Sequence, residues 1–406
     1  MTQQQRDAAG AAPWVLVLGG GPDRERDVSL ASAAAVATAL RAGGYRVEQA
    51  DCGPGDFSAL DAFVGMGGGV VFPVLHGPWG EGGPLLRELE ARGLSKVGVD
   101  AEAASLCMNK AAAKTVWAAD ASLHTPPWTV MDLSGRSVVI TVPEEGTGGW
   151  VLKPLDQGSS LGVHRFHEME ALLDSFLASH EPAWSEGDLD PDELAELEAE
   201  LEDDGGAGLA PGNTAAADEW CAEQDTAEPQ HGAEEAGDED DEEDEDGDPG
   251  DEDAEFDFDP DARADLNRIL EASGSGRLML ESAVRGRELT VGVVDGRALP
   301  VIEIGFDGDI YDYQTKYHDD RTRYTVLDPT DEAAVAATQA SLRAVELVGA
   351  GALCRIDLIW DGSIPWLIEA NTMPGFTEHS LLPKAAAALD WTMPELCRRL
   401  VQAAGA

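Results

Sequence analysis

Four polar side chains stand at alternate positions of two otherwise apolar segments near the C-terminus. CRIDLI carries Arg355 and Asp357, and IEAN carries Glu369 and Asn371. Residues two apart lie on the same face of a β-strand, so the pattern predicts two paired strands with one polar face. Oxygen ligands from Asp357, Glu369 and Asn371 suit a hard cation such as Mg²⁺ that also binds substrate phosphates. A structural ion pair between Arg355 and its neighbours is the alternative.

Lysine is scarce in this chain, with six residues against 21 arginines. Lys110, Lys153 and Lys316 fall in predicted loops or at strand ends. A compact ammonium on a flexible stem suits phosphate neutralisation, and Lys153 directly precedes the loop PLDQGSSLG, whose backbone N–H groups could cover phosphates. A phosphate site and ordinary solvated surface lysines are both open interpretations.

A glycine cluster, GGGPDRERDVSL, follows the first apolar run of the chain. It departs from the dinucleotide-binding pattern G-x-G-x-x-G because Arg24 stands where the third glycine is required, and the Gly-Lys dipeptide of a Walker A loop never occurs. Both common nucleotide-binding loops are therefore disfavoured. The cluster also places Glu25 beside a predicted helix N-terminus, where a ligand-binding carboxylate and a solvated helix cap are both open.

These side chains need strands and helices to position them. Apolar runs at 14–18 and 70–75 are each followed by glycines and then by a helical pattern, at 29–42 and 85–92. Strands that alternate with helices predict a mostly parallel sheet in an N-terminal domain. Ligand loops are then expected at the carboxyl ends of the strands.

After an alanine-rich helix from Cys107, the pattern becomes richer in strands. Predicted strands are 128–131, 137–142, 150–153, 278–282, 288–294, 299–304, 354–360 and 366–370, and predicted helices are 167–180, 264–272, 331–348 and 394–403. We expect an α/β fold with an α+β part. The predicted organisation is a disordered arm at 1–12, an N-terminal α/β substrate domain at 13–106, a central domain at 107–280 and a C-terminal domain at 281–406.

The negative charge is concentrated in one part of the chain. The 406 residues carry 78 acidic and 27 basic side chains, a formal net charge of −51, and 36 of the acids lie between Glu181 and Ala262, where no Lys or Arg occurs. Few apolar residues and strong self-repulsion predict that this insert, 181–262, is disordered. The charge also argues against nucleic acid and anionic membranes as partners.

The remaining composition excludes further classes of protein. The N-terminus lacks a signal-peptide pattern, and no run approaches the roughly 20 apolar residues of a transmembrane helix. The five cysteines lie far apart without a C-x-x-C pair, so neither a disulfide framework nor a zinc site is expected. A soluble cytoplasmic chain with reduced thiols, mostly in the core, is expected.

Seven blocks together resemble the D-alanine:D-alanine ligases of the ATP-grasp superfamily. They are GGGPDRERDVSL, VLHGPWGEGG, KPLDQGSSLGV, ESAVRGRELTV, YDYQTKY, CRIDLI and IEANTMPGFTEHSLLP, in the family's order. The resemblance implies three domains, two of them ATP-grasp domains, and a homodimer. It also implies ATP and two D-alanine molecules as substrates, with Mg²⁺ or Mn²⁺ as the metal ion.

The resemblance further implies a role for each matching residue. At the nucleotide these are Lys110 and Lys153 for the α- and β-phosphates, Lys316 near the γ-phosphate, Glu281 and Val284 for adenine, Glu288 for ribose, and Asp357, Glu369 and Asn371 for Mg²⁺. At the amino acids they are Glu25, Ser159, Tyr317 and His76 for the first D-alanine, Arg355 and Gly375 for the oxyanion, and Ser380 and Leu381 for the second carboxylate.

The implied reaction makes the dipeptide used in cell-wall peptidoglycan. ATP phosphorylates the first D-alanine to an acylphosphate, the uncharged amine of the second attacks it, and phosphate leaves. Cations would neutralise the transferring phosphoryl group, and Arg355 with a backbone N–H would stabilise the oxyanion. Positioning and water exclusion should dominate catalysis, with the loop at 311–323 as a lid.

The chain also departs from the family pattern. Asn109 replaces the aspartate of Met-Asp-Lys, Ser282 and Ala283 replace the usual basic or aromatic neighbour of adenine, and the acidic insert is foreign to the family. Weaker nucleotide binding is therefore expected. Two alternatives remain, a D-alanine:D-lactate ligase and a catalytically impaired scaffold that works through its insert. Tyr317, with His318 only as its neighbour, matches the family's tyrosine and favours the dipeptide.

Overall fold

The computed structural model describes residues 14–132, 148–157, 163–166, 276–305 and 322–405, which all belong to one structural unit. Several predicted features lie outside these residues, namely the arm at 1–12, the strand at 137–142, the helices at 167–180 and 264–272, the insert at 181–262 and most of the loop at 311–323. They stay predictions.

The first sheet is parallel, as the alternation of strands and helices predicts. It contains β1 (Trp14–Gly20), β2 (Arg46–Cys52), β3 (Val70–Pro73) and β4 (Ser95–Lys96) in the order β2-β1-β3-β4, with helices α1 (Arg26–Ala42), α2 (Ser58–Gly65), α3 (Gly77–Gly80) and α4 (Pro84–Ala91) between them. Val15, Leu16 and Val17 are each at most 1% exposed, so both faces of β1 are covered. A continuous apolar run is typical of such a strand.

A pair of helices follows, α5 (Ala101–Met108) and α6 (Lys110–Ala118). The predicted alanine-rich helix is thus broken at Asn109. This residue has an extended backbone with ψ 99°, and its side-chain oxygen accepts a hydrogen bond from Ala112 N at 3.1 Å, which caps α6. Lys110 therefore begins a helix, and Lys114 lies one turn along the same face.

The second sheet is antiparallel. It contains β5 (Trp128–Asp132), β6 (Trp150–Pro154), β7 (His164–Phe166) and β8 (Arg277–Ser282) in the order β5-β8-β6-β7. On β6 and β8, Val151 pairs with Glu281 and Lys153 pairs with Met279. Lys153 and Glu281 are therefore diagonal neighbours on one face, a separation that a long side chain can span.

The third sheet is also antiparallel and carries the C-terminal helices. Its strands are β9 (Arg287–Val294), β10 (Arg297–Ala298), β11 (Ile302–Gly305), β12 (Arg323–Val326), β13 (Leu353–Trp360) and β14 (Pro365–Asn371), and the helices are α7 (Glu332–Leu347), α8 (Leu381–Ala387) and α9 (Met393–Ala404). The strand order is β12-β11-β9-β13-β14, with β10 beside β9. The strand predicted from Leu299 starts later because Pro300 has no N–H for a ladder.

The core reaches across helices and sheets. Trp117 of α6 is fully buried, and its Nε1 donates to Ala344 O of α7 at 3.3 Å.

The four cysteines within the described residues are buried free thiols, as expected, and burial raises the pKa of Cys107 and of Cys397 to about 12. Such thiols are unreactive near neutral pH.

The three sheets follow one another along the chain in the order of the three predicted domains. The boundaries at 106 and 280 themselves stay predictions. No helix within the described part of the chain is long and apolar enough to cross a membrane.

Candidate active site

The polar face predicted for the last two strands is present. β13 and β14 are antiparallel, and their register pairs Arg355 with Asn371 and Asp357 with Glu369. Directly opposite residues of an antiparallel pair project from the same face of the sheet, so the four side chains share one face. A register shift follows Asp357, and such irregularities are frequent beside active sites.

Asp357 is held by two neighbours. Arg355 Nε and Nη2 donate to its two carboxylate oxygens at 2.9 and 2.6 Å, and Thr290 Oγ1 on β9 donates to Oδ1 at 2.6 Å. Arg355 is only 6% exposed, which makes this bidentate pair stronger than a solvated one. The ion pair considered as an alternative for Arg355 therefore exists, and it orients a carboxylate of the predicted metal site.

The donors on this face fit a hard divalent cation. The facing carboxylates Asp357 and Glu369 repel each other, and a cation near both would offset that repulsion. Asn371 Oδ1 accepts a hydrogen bond from Met373 N at 3.1 Å, which fixes the amide and leaves a second lone pair. In the described ranges, no three His, Cys, Asp or Glu side chains converge, so a cation would use two carboxylates, the amide and substrate oxygens.

A buried cluster of lysines surrounds Glu281. Lys153 Nζ donates to Glu281 Oε1 at 2.8 Å, and Lys114 Nζ forms an ion pair with Glu281 Oε2. Lys153 and Glu281, both predicted from the sequence, are thus in direct contact. Lys114 was not predicted, although its position four residues after Lys110 in a lysine-poor chain is a signal that points to it.

Lys110 connects this cluster with the polar strand face. Its Nζ lies 3.8 Å from Glu369 Oε2 and donates to Gln157 O in the loop after β6. Lys110 is buried, so solvent screens these interactions little. The interpretation of Lys110 and Lys153 as solvated surface lysines is wrong, because both side chains are buried.

Burial and neighbouring charges shift the pKa values of the cluster. Burial lowers the pKa of Lys114 to about 8, and the Glu281 carboxylate opposes that shift. Burial also lowers the pKa of Lys110, opposed by Glu369. For Glu281, burial raises the pKa, but the ammonium groups of Lys114 and Lys153 outweigh burial and leave the pKa below its ordinary value. The Glu281 carboxylate is therefore ionised near neutral pH.

A second buried cluster contains Glu25, His76 and Glu81, each 6% exposed. His76 Nδ1 lies 3.6 Å from Glu81 Oε2. Burial lowers the pKa of His76, but the contact with Glu81 and the charge of Glu25 outweigh it and raise the pKa above its ordinary value. Burial raises the pKa of Glu81. Glu81 was not predicted, since only the fold buries it beside His76.

Glu25 stands at the cap position of α1, but its side chain makes no capping hydrogen bond. It is also buried, so the interpretation as a solvated cap is wrong. A buried carboxylate can hold an ammonium group, since an opposite charge offsets its desolvation.

Gly375 and Ser380 lie in contact after β14. A Cβ at Gly375 would lie 2.7 Å from Ser380 Oγ, so glycine is required for this approach. Ser380 Oγ also accepts from Thr377 N at 3.1 Å and lies 2.9 Å from Thr377 Oγ1. Leu381 begins α8 with its side chain in the apolar core, which leaves its backbone as the group available to a ligand.

The remaining predicted residues are placed only in part. Val284 is half-buried two residues after the end of β8, and its neighbour Ala283 donates from N to Gly149 O at 2.8 Å. Glu288 is half-buried on β9. The structure does not describe three other predicted residues, Ser159, Lys316 and Tyr317; their roles stay predictions.

Comparisons with known proteins agree over nearly the whole chain. Residues 261–402 match the model of the D-ala D-ala ligase C-terminus. A D-alanine–D-alanine ligase of Magnetococcus marinus is 30% identical over 396 residues, covering 96% of each chain. One of Bordetella petrii is 30% identical over 405 residues, covering 98% of this chain and 94% of the relative.

Solved structures show the same fold at lower identity. A D-alanine–D-alanine ligase of Bacillus anthracis complexed with ATP is similar with a TM-score of 0.60 and 18% identity, covering 97% of each chain. The enzyme of Coxiella burnetii is similar with a TM-score of 0.57 and 18% identity, covering 96% of this chain and 94% of that structure. With relatives 30% identical along its length, this chain belongs to the D-alanine–D-alanine ligase family of the ATP-grasp superfamily.

Proposed function

We propose that this protein joins two D-alanine molecules to D-alanyl-D-alanine at the expense of ATP, through an acylphosphate, for peptidoglycan synthesis. The observation that carries the proposal is the 3.8 Å approach of Lys110 Nζ to Glu369 Oε2. It brings a lysine cluster suited to phosphates next to a carboxylate face suited to a divalent cation. Phosphoryl transfer needs both kinds of group together.

The nucleotide end uses the lysines and the polar strand face. Lys110 and Lys153 bind the α- and β-phosphates, while Glu281 and Val284 contact adenine and Glu288 contacts ribose. Asp357, Glu369 and Asn371 would hold Mg²⁺, with Mn²⁺ as a substitute. The metal ion, when bound, neutralises charge on the phosphate oxygens. Lys316 would approach the γ-phosphate.

The amino-acid end uses the buried acidic cluster and the segment after β14. Glu25 binds the ammonium of the first D-alanine, with His76 beside it and Ser159 and Tyr317 as further hydrogen-bond partners. Ser380 and the Leu381 backbone receive the second carboxylate.

Arg355 and the Gly375 backbone N–H stabilise the oxyanion that forms when the second amine attacks. Arg355 is already oriented by its two hydrogen bonds to Asp357, so little reorganisation accompanies the reaction. Preorganised donors of this kind typically contribute about 3 kcal/mol to the transition state.

The proposal is tested by phosphate release with ATP, Mg²⁺ and D-alanine, compared with L-alanine. Release that requires D-alanine supports it, and release without an amino acid, or none at all, contradicts it. Competition with excess D-lactate between roughly pH 6 and 9 distinguishes dipeptide from depsipeptide formation. We expect the dipeptide to dominate throughout this range, because a tyrosine at position 317 stays neutral up to about pH 10. A homodimer in the cytoplasm is also proposed, and sedimentation velocity tests the dimer.

A further inference from the structure

Glu281 is a buried carboxylate with two ammonium partners that are held very differently. Lys114 is 0% exposed, and its Nζ contacts Glu281 Oε2 and donates to Thr125 Oγ1 at 2.6 Å and to Leu367 O at 3.3 Å. Three oxygen atoms therefore surround its ammonium group, one in an ion pair and two as hydrogen-bond acceptors. Among the described residues, Lys153 Nζ has a single acceptor, Glu281 Oε1 at 2.8 Å.

The partners of Lys114 are themselves fixed. Thr125 Oγ1 donates to Leu367 O at 2.8 Å, so the hydroxyl and the carbonyl of β14 form one network with the ammonium. The ring of Trp128 lies 5.8 Å from Lys114 Nζ. Moving this ammonium would remove a donor from the half-buried Thr125 hydroxyl and one of two side-chain donors from the buried Leu367 carbonyl, which is costly.

Among the described residues, the Lys153 ammonium has fewer partners than the Lys114 ammonium. Lys153 lies near the end of β6, directly before the loop that begins after Pro154. Glu281 carries one negative charge for two ammonium groups, so one of them can leave while the carboxylate stays paired. Without Lys114, the departure of Lys153 would leave an uncompensated buried charge, which is strongly unfavourable.

We propose that Lys114 is a positioning residue that keeps Glu281 ionised and fixed, so that Lys153 can transfer from Glu281 to a nucleotide phosphate. The proposal rests on the proposed function, in which Lys153 binds phosphate. Lys114 itself touches no substrate. Lys153 can then leave the Glu281 carboxylate for a phosphate, because Lys114 still neutralises the buried charge of Glu281.

The test is a double-mutant cycle read by nucleotide binding. Isothermal titration calorimetry measures the Kd of a non-hydrolysable ATP analogue with Mg²⁺ for the wild type, Lys114→Met, Glu281→Gln and the double variant. We expect Lys114→Met to weaken binding at least about tenfold in the wild-type background. In the Glu281→Gln background it should weaken binding less than about threefold, because a neutral amide needs no counter-ion. Lys96→Met, which removes a lysine paired with Glu90, is the matched control.

The proposal is overturned if Lys114→Met weakens nucleotide binding equally in the wild-type and Glu281→Gln backgrounds. It is also overturned if the Kd of Lys114→Met lies within threefold of the wild-type value. If Lys114→Met alone does not fold, the double variant is compared with Glu281→Gln, and a difference above tenfold overturns it. Wild-type protein that binds the nucleotide but releases no phosphate with D-alanine contradicts the proposed function, while the cycle still tests Lys114. A wild type that binds no nucleotide contradicts both.

Discussion

Asp357 and Glu369 face each other across β13 and β14, and each lies beside a different basic side chain. Arg355 Nη2 donates to Asp357 at 2.6 Å, while Lys110 Nζ lies 3.8 Å from Glu369. Arg355 belongs to the same strand as its partner, whereas Lys110 comes from α6. The contact of Glu369 with Lys110 is therefore the longer-range one, and it ties the strand face to the phosphate-binding region.

Replacing Glu369 should remove activity while the fold remains. Glu369→Gln keeps the shape but removes one of two facing carboxylates, so phosphate release should fall by at least about 100-fold and require more Mg²⁺. Glu378→Gln is the control, since the Glu378 side chain is 86% exposed. Steady-state rates over a Mg²⁺ titration, with circular dichroism for folding, make the measurement. Near-normal turnover of a folded Glu369→Gln variant would contradict the metal site.

Adding one methyl group at Gly375 should impair the second D-alanine selectively. A Cβ there would lie 2.7 Å from Ser380 Oγ, so Ser380 must move away from its position beside Thr377. We expect the KM for the second D-alanine to rise about tenfold while the KM for ATP stays within about twofold. The control is Gly351→Ala, where a Cβ meets no atom within 4 Å. Equal KM changes for both substrates would show a general disturbance instead.

The polar strand face could be predicted because its signal is local. A strand repeats every two residues, so Arg355 and Asp357, and likewise Glu369 and Asn371, had to share a face, and the observed register brings the two pairs together. The parallel first sheet followed in the same way from alternating apolar runs. Both predictions depend only on residues that are close together in the sequence.

Other features depend on partners that are distant in sequence. Lys114 gains its importance from Glu281 and from Leu367 O, and Glu81 from His76. A sequence pattern predicts the helix or strand that contains a residue, but it does not show which other helix or strand packs against that residue. β2 was missed for a related reason, since this partly exposed strand carries charges along its length and lacks the apolar alternation that marks a buried strand.

Trp117 should be among the most important core residues for stability. It is fully buried between α6 and α7 and donates to Ala344 O at 3.3 Å. Trp117→Ala should lower the free energy of unfolding by about 3–5 kcal/mol, since it leaves a large cavity and removes the hydrogen bond to Ala344 O. Trp117→Phe should cost less. Urea unfolding followed by circular dichroism measures both. Trp391→Ala, at a half-buried tryptophan, serves as the comparison, and an equal or larger loss there would contradict the ranking.

Asp120 should contribute to stability only above strongly acidic pH. Its Oδ1 accepts from Ser122 Oγ at 2.6 Å and Ser122 N at 2.9 Å, and Arg343 Nε donates to Oδ2 at 2.8 Å. These hydrogen bonds, those of Ser122 first, lower the pKa of Asp120 from 3.8 to about 2. A carboxylate whose pKa is lower in the folded state stabilises the fold fully above the unfolded value, and that contribution is lost as the pH falls through the folded value.

Asp120→Asn should therefore lower the urea midpoint at pH 7 and at pH 5, and its difference from the wild type should shrink between pH 4 and pH 2. The amide retains an acceptor for Ser122 N, so the change isolates the charge and its attraction to Arg343. Asp390→Asn is the matched control, because Asp390 is exposed with φ 59°, a backbone conformation that asparagine tolerates well. Its midpoint should follow the wild type at every pH. A constant difference between Asp120→Asn and the wild type from pH 7 to pH 3 would mean that Asp120 acts through hydrogen bonds that do not depend on its charge.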